Sequence, residues 1–184
     1  MRPNHRLIAA VLIFAAGAAA RPASAATAFA GIDALQSTVM QKGQSSFSGM
    51  AVRTRLTSAR LVPGFDFLPS IEYWRSKTTV SAFGIETSRR DATLGVDARY
   101  TFKREGWTPY GGVGYGIHFI SNKVNAPTLG LNDEEDSLVK GGIALLGGIN
   151  FPLTERIDNL LELKYHVLSD YGQFKLSWGL AWDF

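Results

Sequence analysis

The chain has 184 residues, of which 46% are hydrophobic and 11% aromatic, and none is cysteine. This length fits one domain, and a chain without cysteine has neither a disulfide framework nor a thiolate metal site. Residues 1–25 contain Arg2, Arg6 and Arg21 and no acidic residue, so the rest of the chain carries equal numbers of basic and acidic side chains. A neutral chain has no general attraction for nucleic acid, and we expect no nucleic-acid partner.

Residues 1–25 have the three parts of a secretory signal peptide. A basic start precedes an apolar run from Leu7 to Ala20 and a small-residue end formed by Ala23, Ser24 and Ala25. As a helix, fourteen residues at ~1.5 Å each would span about 21 Å, which is less than a hydrocarbon core of ~30 Å. The pattern therefore predicts export and cleavage after Ala25 rather than a membrane anchor.

Residues 26–45 do not share the pattern of the chain that follows. Phe29, Ile32, Leu35 and Val39 have near-helical spacing. This spacing predicts a periplasmic lead-in that is either a short amphipathic helix or disordered.

From residue 46 to residue 184, apolar and polar residues alternate, which is typical of β-strands between two different environments. The alternation is clearest in the last strand, where one face carries Phe174, Leu176, Trp178, Leu180, Trp182 and Phe184. Eight strands are predicted, and the third is ambiguous in phase: 46–57, 64–75, 78–87, 91–103, 108–120, 137–150, 156–168 and 171–184. An even number of antiparallel strands suits a closed barrel.

A soluble, lipocalin-like barrel would show the same alternation with its apolar face turned inward. Two features favour an apolar exterior. The polar phase contains Gly112, Gly114 and Gly116 and nearly balanced charges, which suit a crowded interior. Aromatic residues of the apolar phase lie near strand ends, where membrane barrels have interfacial girdles. The sequence predicts an all-β, eight-stranded antiparallel up-and-down transmembrane β-barrel.

The charged residues of the polar phase are predicted to form a network inside the barrel. Its members are Arg53, Arg55, Asp66, Glu72, Asp97, Arg99, Glu162, Lys164 and Lys175. We expect Arg53 and Arg55 to pair with Glu72 and Asp66 on the adjacent strand. An eight-stranded barrel is only just wide enough for its own side chains, so a closed interior is expected. The alternative is a narrow or gated ion path made possible by the inward glycines.

The lengths of the connections predict the orientation in the membrane. Outer-membrane barrels have short periplasmic turns and longer external loops. Counted from a periplasmic start, short periplasmic turns are predicted at 75–77, 104–106 and 152–155, and the longest connection, 121–136, is predicted to be external.

Two motifs of the predicted barrel are similar to a known family. Ser177, Gly179, Trp182 and Phe184 resemble the terminal signal that the outer-membrane assembly machinery recognises, and residues 107–116 are similar to a Pro-aromatic-Gly-rich strand start. With the signal peptide, they give residues 46–184 a resemblance to the eight-stranded outer-membrane β-barrel superfamily, including the OmpA-like transmembrane domain and its opacity-type and OmpX-like relatives.

The resemblance implies a monomer in a Gram-negative outer membrane, in contact with lipid and lipopolysaccharide. Its role would be structural or a surface interaction with an external ligand or host surface. A narrow, porin-like pore is the first alternative. Lys123, Arg89 and Arg90 are expected to be ordinary solvated loop charges, and the alternative is that they meet phosphorylated head groups.

No cofactor, metal site or enzymatic activity is predicted. His118 and His166 lie on nonadjacent predicted strands, which falls short of a ligand set. Small barrels that modify lipid A use His and Ser, and His166 precedes Ser169 and Asp170. Because this segment does not reproduce the deacylase motif, a lipid A-modifying enzyme is only the second alternative.

Overall fold

The computed structural model describes residues 27–41, 46–58, 63–80, 85–102, 104–126, 131–169 and 172–184. The predicted signal peptide lies outside these residues. Within them, the structure contains no helix of the length and apolarity that membrane crossing requires.

Eight antiparallel strands close into a barrel in chain order. They are β1 (Thr27–Gln41), β2 (Phe47–Ser58), β3 (Phe65–Val80), β4 (Ile85–Thr101), β5 (Thr108–Ala126), β6 (Leu131–Pro152), β7 (Ile157–Leu168) and β8 (Gly172–Asp183). β1 pairs with both β2 and β8, and this pairing closes the sheet. The predicted all-β, eight-stranded, up-and-down architecture is confirmed.

The predicted lead-in at 26–45 is wrong, because Thr27–Gln41 is a full barrel strand. Apolar Leu35 and Val39 of β1 are buried inside the barrel, whereas polar Gln36 is exposed on the outer face. Each face of this strand therefore carries both polar and apolar residues. The resulting pattern lacks the regular alternation from which the other strands were predicted.

The predicted third strand, 78–87, does not exist as a separate strand. Residues 78–80 complete β3, residues 85–87 begin β4, and the two strands pair up to Val80 opposite Ile85. The turn predicted at 75–77 is also wrong, since those residues continue β3. The predicted number of strands was nevertheless right, because the missed β1 offsets the extra strand.

The outer face of the barrel is apolar and the inner face polar, as predicted. On β5, Val113, Tyr115, Ile117 and Phe119 are 41–54% exposed, while His118 between them is fully buried. A lipocalin-like barrel would show the reverse arrangement. The apolar-out orientation follows.

Strands β3 to β6 extend beyond the other four at one end. The β2–β3 pairing ends at Gly49 opposite Trp74, and the β6–β7 pairing begins only at Gly142 opposite Leu168. The four long strands nevertheless remain paired to each other for about six more residues, or ~20 Å. We call residues 75–80, 85–90, 121–126 and 131–137 the projecting sheet. The connection predicted at 121–136 is therefore mostly β-structure.

Candidate functional site

The barrel interior holds all nine side chains of the predicted charge network in a buried state. A tenth member, Asp33 of β1, is 0% exposed. It was missed because β1 had been predicted as a lead-in outside the barrel. The ten side chains comprise five cations and five carboxylates: Arg53, Arg55, Arg99, Lys164 and Lys175 with Asp33, Asp66, Glu72, Asp97 and Glu162.

Asp33 joins two arginines at the end of the barrel where the chain termini lie. Its Oδ2 accepts from Arg53 Nε at 2.8 Å and its Oδ1 accepts from Arg55 Nη2 at 2.9 Å. Arg53 Nη1 donates in turn to Glu162 Oε2 at 2.8 Å, and Arg55 donates to the Asp183 carboxylate. Each of these buried charges has an opposite charge as a direct neighbour, which is what burial of an ion requires.

Arg99 extends this network towards β3 and β5. Its Nη2 donates to Asp66 Oδ2 at 3.1 Å, and its guanidinium lies 4.9 Å from the centre of the Tyr110 ring. The Tyr110 hydroxyl donates to Glu162 Oε2 at 3.0 Å. The cation, the ring and the carboxylate therefore fill the interior as one connected group.

A second set of ion pairs lies in the middle of the barrel. Lys164 Nζ donates to Glu72 Oε1 at 2.9 Å and to Asp97 Oδ2 at 2.8 Å, and Lys175 Nζ donates to the other Glu72 oxygen. All four side chains are at most 10% exposed. Glu72 thus neutralises two lysines from two different strands.

The predicted pairs between Arg53 or Arg55 and Glu72 or Asp66 are wrong. Side chains that point into a narrow barrel converge on its axis, so a long arginine or lysine reaches carboxylates on strands that are not its neighbours. Arg53 of β2 meets Glu162 of β7 in this way. Inward phase and charge identify the members of such a network, but the adjacency of strands does not identify its pairs.

A buried chain of polar groups lies nearer the projecting sheet. His118 Nδ1 is 2.8 Å from Asp91 Oδ2, and His118 Nε2 is 3.3 Å from His166 Nδ1. The sequence had placed the two histidines apart, but their rings meet across the intervening β6. No cluster of three or more potential metal-ligating side chains occurs in the described part of the chain. Ser169 is exposed, and among the described residues no hydrogen bond joins it to His166.

The inward glycines make room for these large side chains. A Cβ added to Gly114 would lie 1.9 Å from Asp97 Oδ1, and one added to Gly148 would lie 2.5 Å from the Tyr110 ring. The space at both glycines is therefore already occupied. This occupation removes the main argument for a glycine-lined ion path.

The four residues of the predicted assembly signal lie at the end of β8. Ser177 points inward, with its hydroxyl 2.7 Å from that of Ser37, whereas Phe184 is 76% exposed and stacks on Phe29. Gly179 is buried and Trp182 is partly exposed. Their recognition by the assembly machinery stays a prediction.

Comparison with known proteins gives one family match and several structural matches. The family model for the outer membrane protein beta-barrel domain matches residues 7–184. Neisserial surface protein A is similar with a TM-score of 0.60 and 17% identity, over 85% of this chain and 96% of that one.

Ail of Yersinia pestis, in complex with the heparin analogue sucrose octasulfate, has a TM-score of 0.58 and 17% identity over 85% of this chain and 97% of that one. The N-terminal β-barrel domain of Pseudomonas aeruginosa OprF has a TM-score of 0.52 and 14% identity over 84% of this chain and 97% of that one. At these identities the structures show a shared fold. A comparison with curated protein sequences gave no match.

Proposed function

Because the chain belongs to the outer membrane β-barrel family, we propose that it is a closed membrane scaffold whose projecting sheet is a contact surface outside the cell. The projecting sheet carries this proposal. On its two flanks, residues 75–80 of β3 and 131–137 of β6 have no barrel strand paired beside them among the residues that the structure describes. Such edges offer unpaired backbone groups to a partner strand, and function in small barrels resides in the segments that leave the scaffold.

The closed state of the scaffold is supported by the paired charges that fill its interior. A planar bilayer containing the refolded chain tests it, after a heat-dependent mobility shift on a gel has shown that the protein is folded. We expect no discrete conductance steps. Reproducible single-channel openings would contradict the closed scaffold and favour the narrow-pore alternative.

The orientation can be tested by cysteine labelling, because the chain contains no cysteine of its own. The projecting sheet lies at the end opposite the chain termini, and both termini of such barrels are periplasmic. A cysteine at Asn132 should therefore react with a membrane-impermeant reagent on intact cells, and one at Thr154 should react only after lysis. The opposite labelling pattern would place the projecting sheet in the periplasm.

The contact role can be tested by shortening one hairpin of the projecting sheet. Ser121 and Ser137 lie directly opposite each other, so an Asn-Gly turn can replace residues 122–136 without a change of register. Cells that carry the short variant should lose adhesion to surfaces or to each other, while the heat-dependent gel shift is kept. A folded short variant with every surface phenotype intact would refute the contact role.

The proposal also includes the path to the membrane and the molecular state there. It comprises export by a cleaved signal peptide at 1–25, a Gram-negative outer membrane, assembly through Ser177, Gly179, Trp182 and Phe184, a monomeric barrel and no enzymatic activity. The family match and the apolar outer face support the outer-membrane location. Mass spectrometry of lipid A from cells with and without the protein tests the last one, and a protein-dependent mass shift would contradict it.

A further inference from the structure

A groove of about 470 Å³ lies on the outer surface across β8, β1, β2 and β3. Small residues line it, among them Ala34, Gly49 and Gly179, and larger ones, Met50 and Trp178, stand beside them. Met50 is 66% exposed and Trp178 is 59% exposed. Their apolar side chains therefore border a depression that faces the lipid.

The register of the strands shows that the groove runs along the barrel wall. Trp182 is opposite Ile32 at its lower end, and Trp178 is opposite Gln36 four residues higher. Arg75, two residues beyond Tyr73 on β3, also lines the groove, at its upper end. Six residues correspond to about 20 Å along a strand, and even the projection of this length on the membrane normal at a tilt of ~40°, about 15 Å, equals the thickness of one hydrocarbon leaflet. The groove is long enough for one acyl chain.

Two arginines lie at the upper end of the groove. Arg75 of β3 is directly opposite Arg90 of β4, and both side chains are exposed. Like charges in this position repel each other, and no ion pair to a carboxylate neutralises either of them within the described chain. The next basic residue outward on β3, Lys77, has such a partner in Glu86 at 2.8 Å. The arginine pair is therefore suited to an external anion.

A polar side chain also interrupts the apolar lining of the groove. Gln36 is exposed on the lipid face, opposite Met50 and Trp178 in register, and its side-chain amide has no hydrogen-bond partner among the described residues. Along the strand direction, its register level is one outward step, or about 7 Å, before that of Arg75. Hydrocarbon cannot satisfy an amide, so a ligand with a carbonyl group at this depth would be favoured.

We infer that the groove binds lipid A, the phosphorylated and multiply acylated lipid of the outer leaflet. One phosphate accepts charge-assisted hydrogen bonds from Arg75 and Arg90. The carbonyl of an acyl linkage accepts from the Gln36 amide, and the acyl chain lies along Met50 and Trp178. This inference rests on the orientation given under the proposed function, because it requires the arginine pair to be at the outer leaflet.

Native mass spectrometry of the refolded protein in detergent micelles tests the inference with purified lipid A as the probe. We expect about fivefold weaker binding for Arg75→Gln or Arg90→Gln and about 25-fold weaker binding for the double variant, since each basic side chain near a charged lipid surface contributes a factor of this size. Gln36→Leu and Trp178→Ala should also weaken binding. Arg156→Gln removes an exposed arginine at the opposite end and should leave it unchanged.

Four outcomes would overturn the inference. Dephosphorylated lipid A could bind as tightly as the intact lipid, phosphatidylglycerol could bind as tightly as lipid A, or the double arginine variant could bind like the unaltered protein. Competition by inorganic phosphate without any effect of Trp178→Ala would reduce the site to a simple anion site and would also contradict it. Binding in micelles does not depend on orientation, so loss of the expected binding pattern with labelling as predicted would refute this inference alone. Inverted cysteine labelling would refute the orientation and, with it, the assignment of the groove to a lipid of the outer leaflet.

Discussion

Neutralising Glu72 should destabilise the barrel more than any other single change in the set of ion pairs in the middle of the barrel. Glu72→Gln keeps the shape of the side chain and removes the charge that two lysines share. Lys164 retains Asp97 at 2.8 Å, but Glu72 is the carboxylate with which Lys175 pairs in the described structure. Because the Lys175 side chain is 3% exposed, water cannot replace this partner.

The structure ranks three substitutions by cost. Removal of one partner from a buried pair leaves an uncompensated charge, so Glu72→Gln should lower the free energy of unfolding by about 3 to 5 kcal/mol. Asp97→Asn should cost about 1 to 3 kcal/mol, since Lys164 keeps Glu72. Glu86→Gln is the matched control at an exposed ion pair with Lys77 and should cost at most about 1 kcal/mol.

Urea unfolding of the refolded barrel in lipid vesicles, followed by tryptophan fluorescence, measures these differences. A double variant, Glu72→Gln with Lys175→Met, also removes the lysine charge that Glu72→Gln alone leaves unpaired. It should recover at least half of the lost stability. Equal effects of Glu72→Gln and Glu86→Gln, or no recovery in the double variant, would refute the reasoning, because Lys175 would then be neutralised by something other than Glu72.

Two further predictions use matched pairs of sites in the same unfolding assay. Leu176→Arg should cost about 2 to 4 kcal/mol if its 40% exposed side chain faces lipid near the midplane, whereas Leu153→Arg in the connection between β6 and β7 should cost about 0 to 1 kcal/mol. Gly114→Ala should cost about 1 to 3 kcal/mol, since its Cβ would overlap Asp97, and Gly111→Ala, whose nearest atom is 3.9 Å away, should change stability by less than about 0.5 kcal/mol. Equal costs within either pair would contradict the placement on which it rests.

The fold could be predicted wherever a strand separates lipid from a polar interior. β5 alternates over residues 113–119 and β8 over residues 173–181, because each outward position there meets hydrocarbon and each inward position meets polar or small side chains. The alternation is lost in two places for two different reasons. In β1 the outward Gln36 is polar, and in the projecting sheet the outward residues Arg75, Lys77 and Thr79 of β3 are polar as well. The strand boundaries were wrong at these places.

The members of the interior network could also be predicted, but their partners could not. Inward phase and charge were enough to select nine side chains that the structure buries. Partner choice depends on the stagger of the strands and on the reach of each side chain across the barrel. His118 and His166 illustrate this dependence, since they lie on β5 and β7 and approach to 3.3 Å over Gly142 of β6.

The upper limit of the lipid-facing band coincides with the start of the projecting sheet. On β4 the outward residues from Ala92 to Tyr100 are apolar, and Arg90 is the next outward residue. Eight residue steps cover about 27 Å along the strand, or about 21 Å along the membrane normal at a tilt of ~40°, close to the ~25 Å apolar band of such barrels. At the upper end, one more outward residue would place the charge of Arg90 in hydrocarbon. At the lower end, it would place the connection after β4 there. The extra length of β3 to β6 therefore extends beyond the apolar band, which is the placement that the proposed contact surface requires.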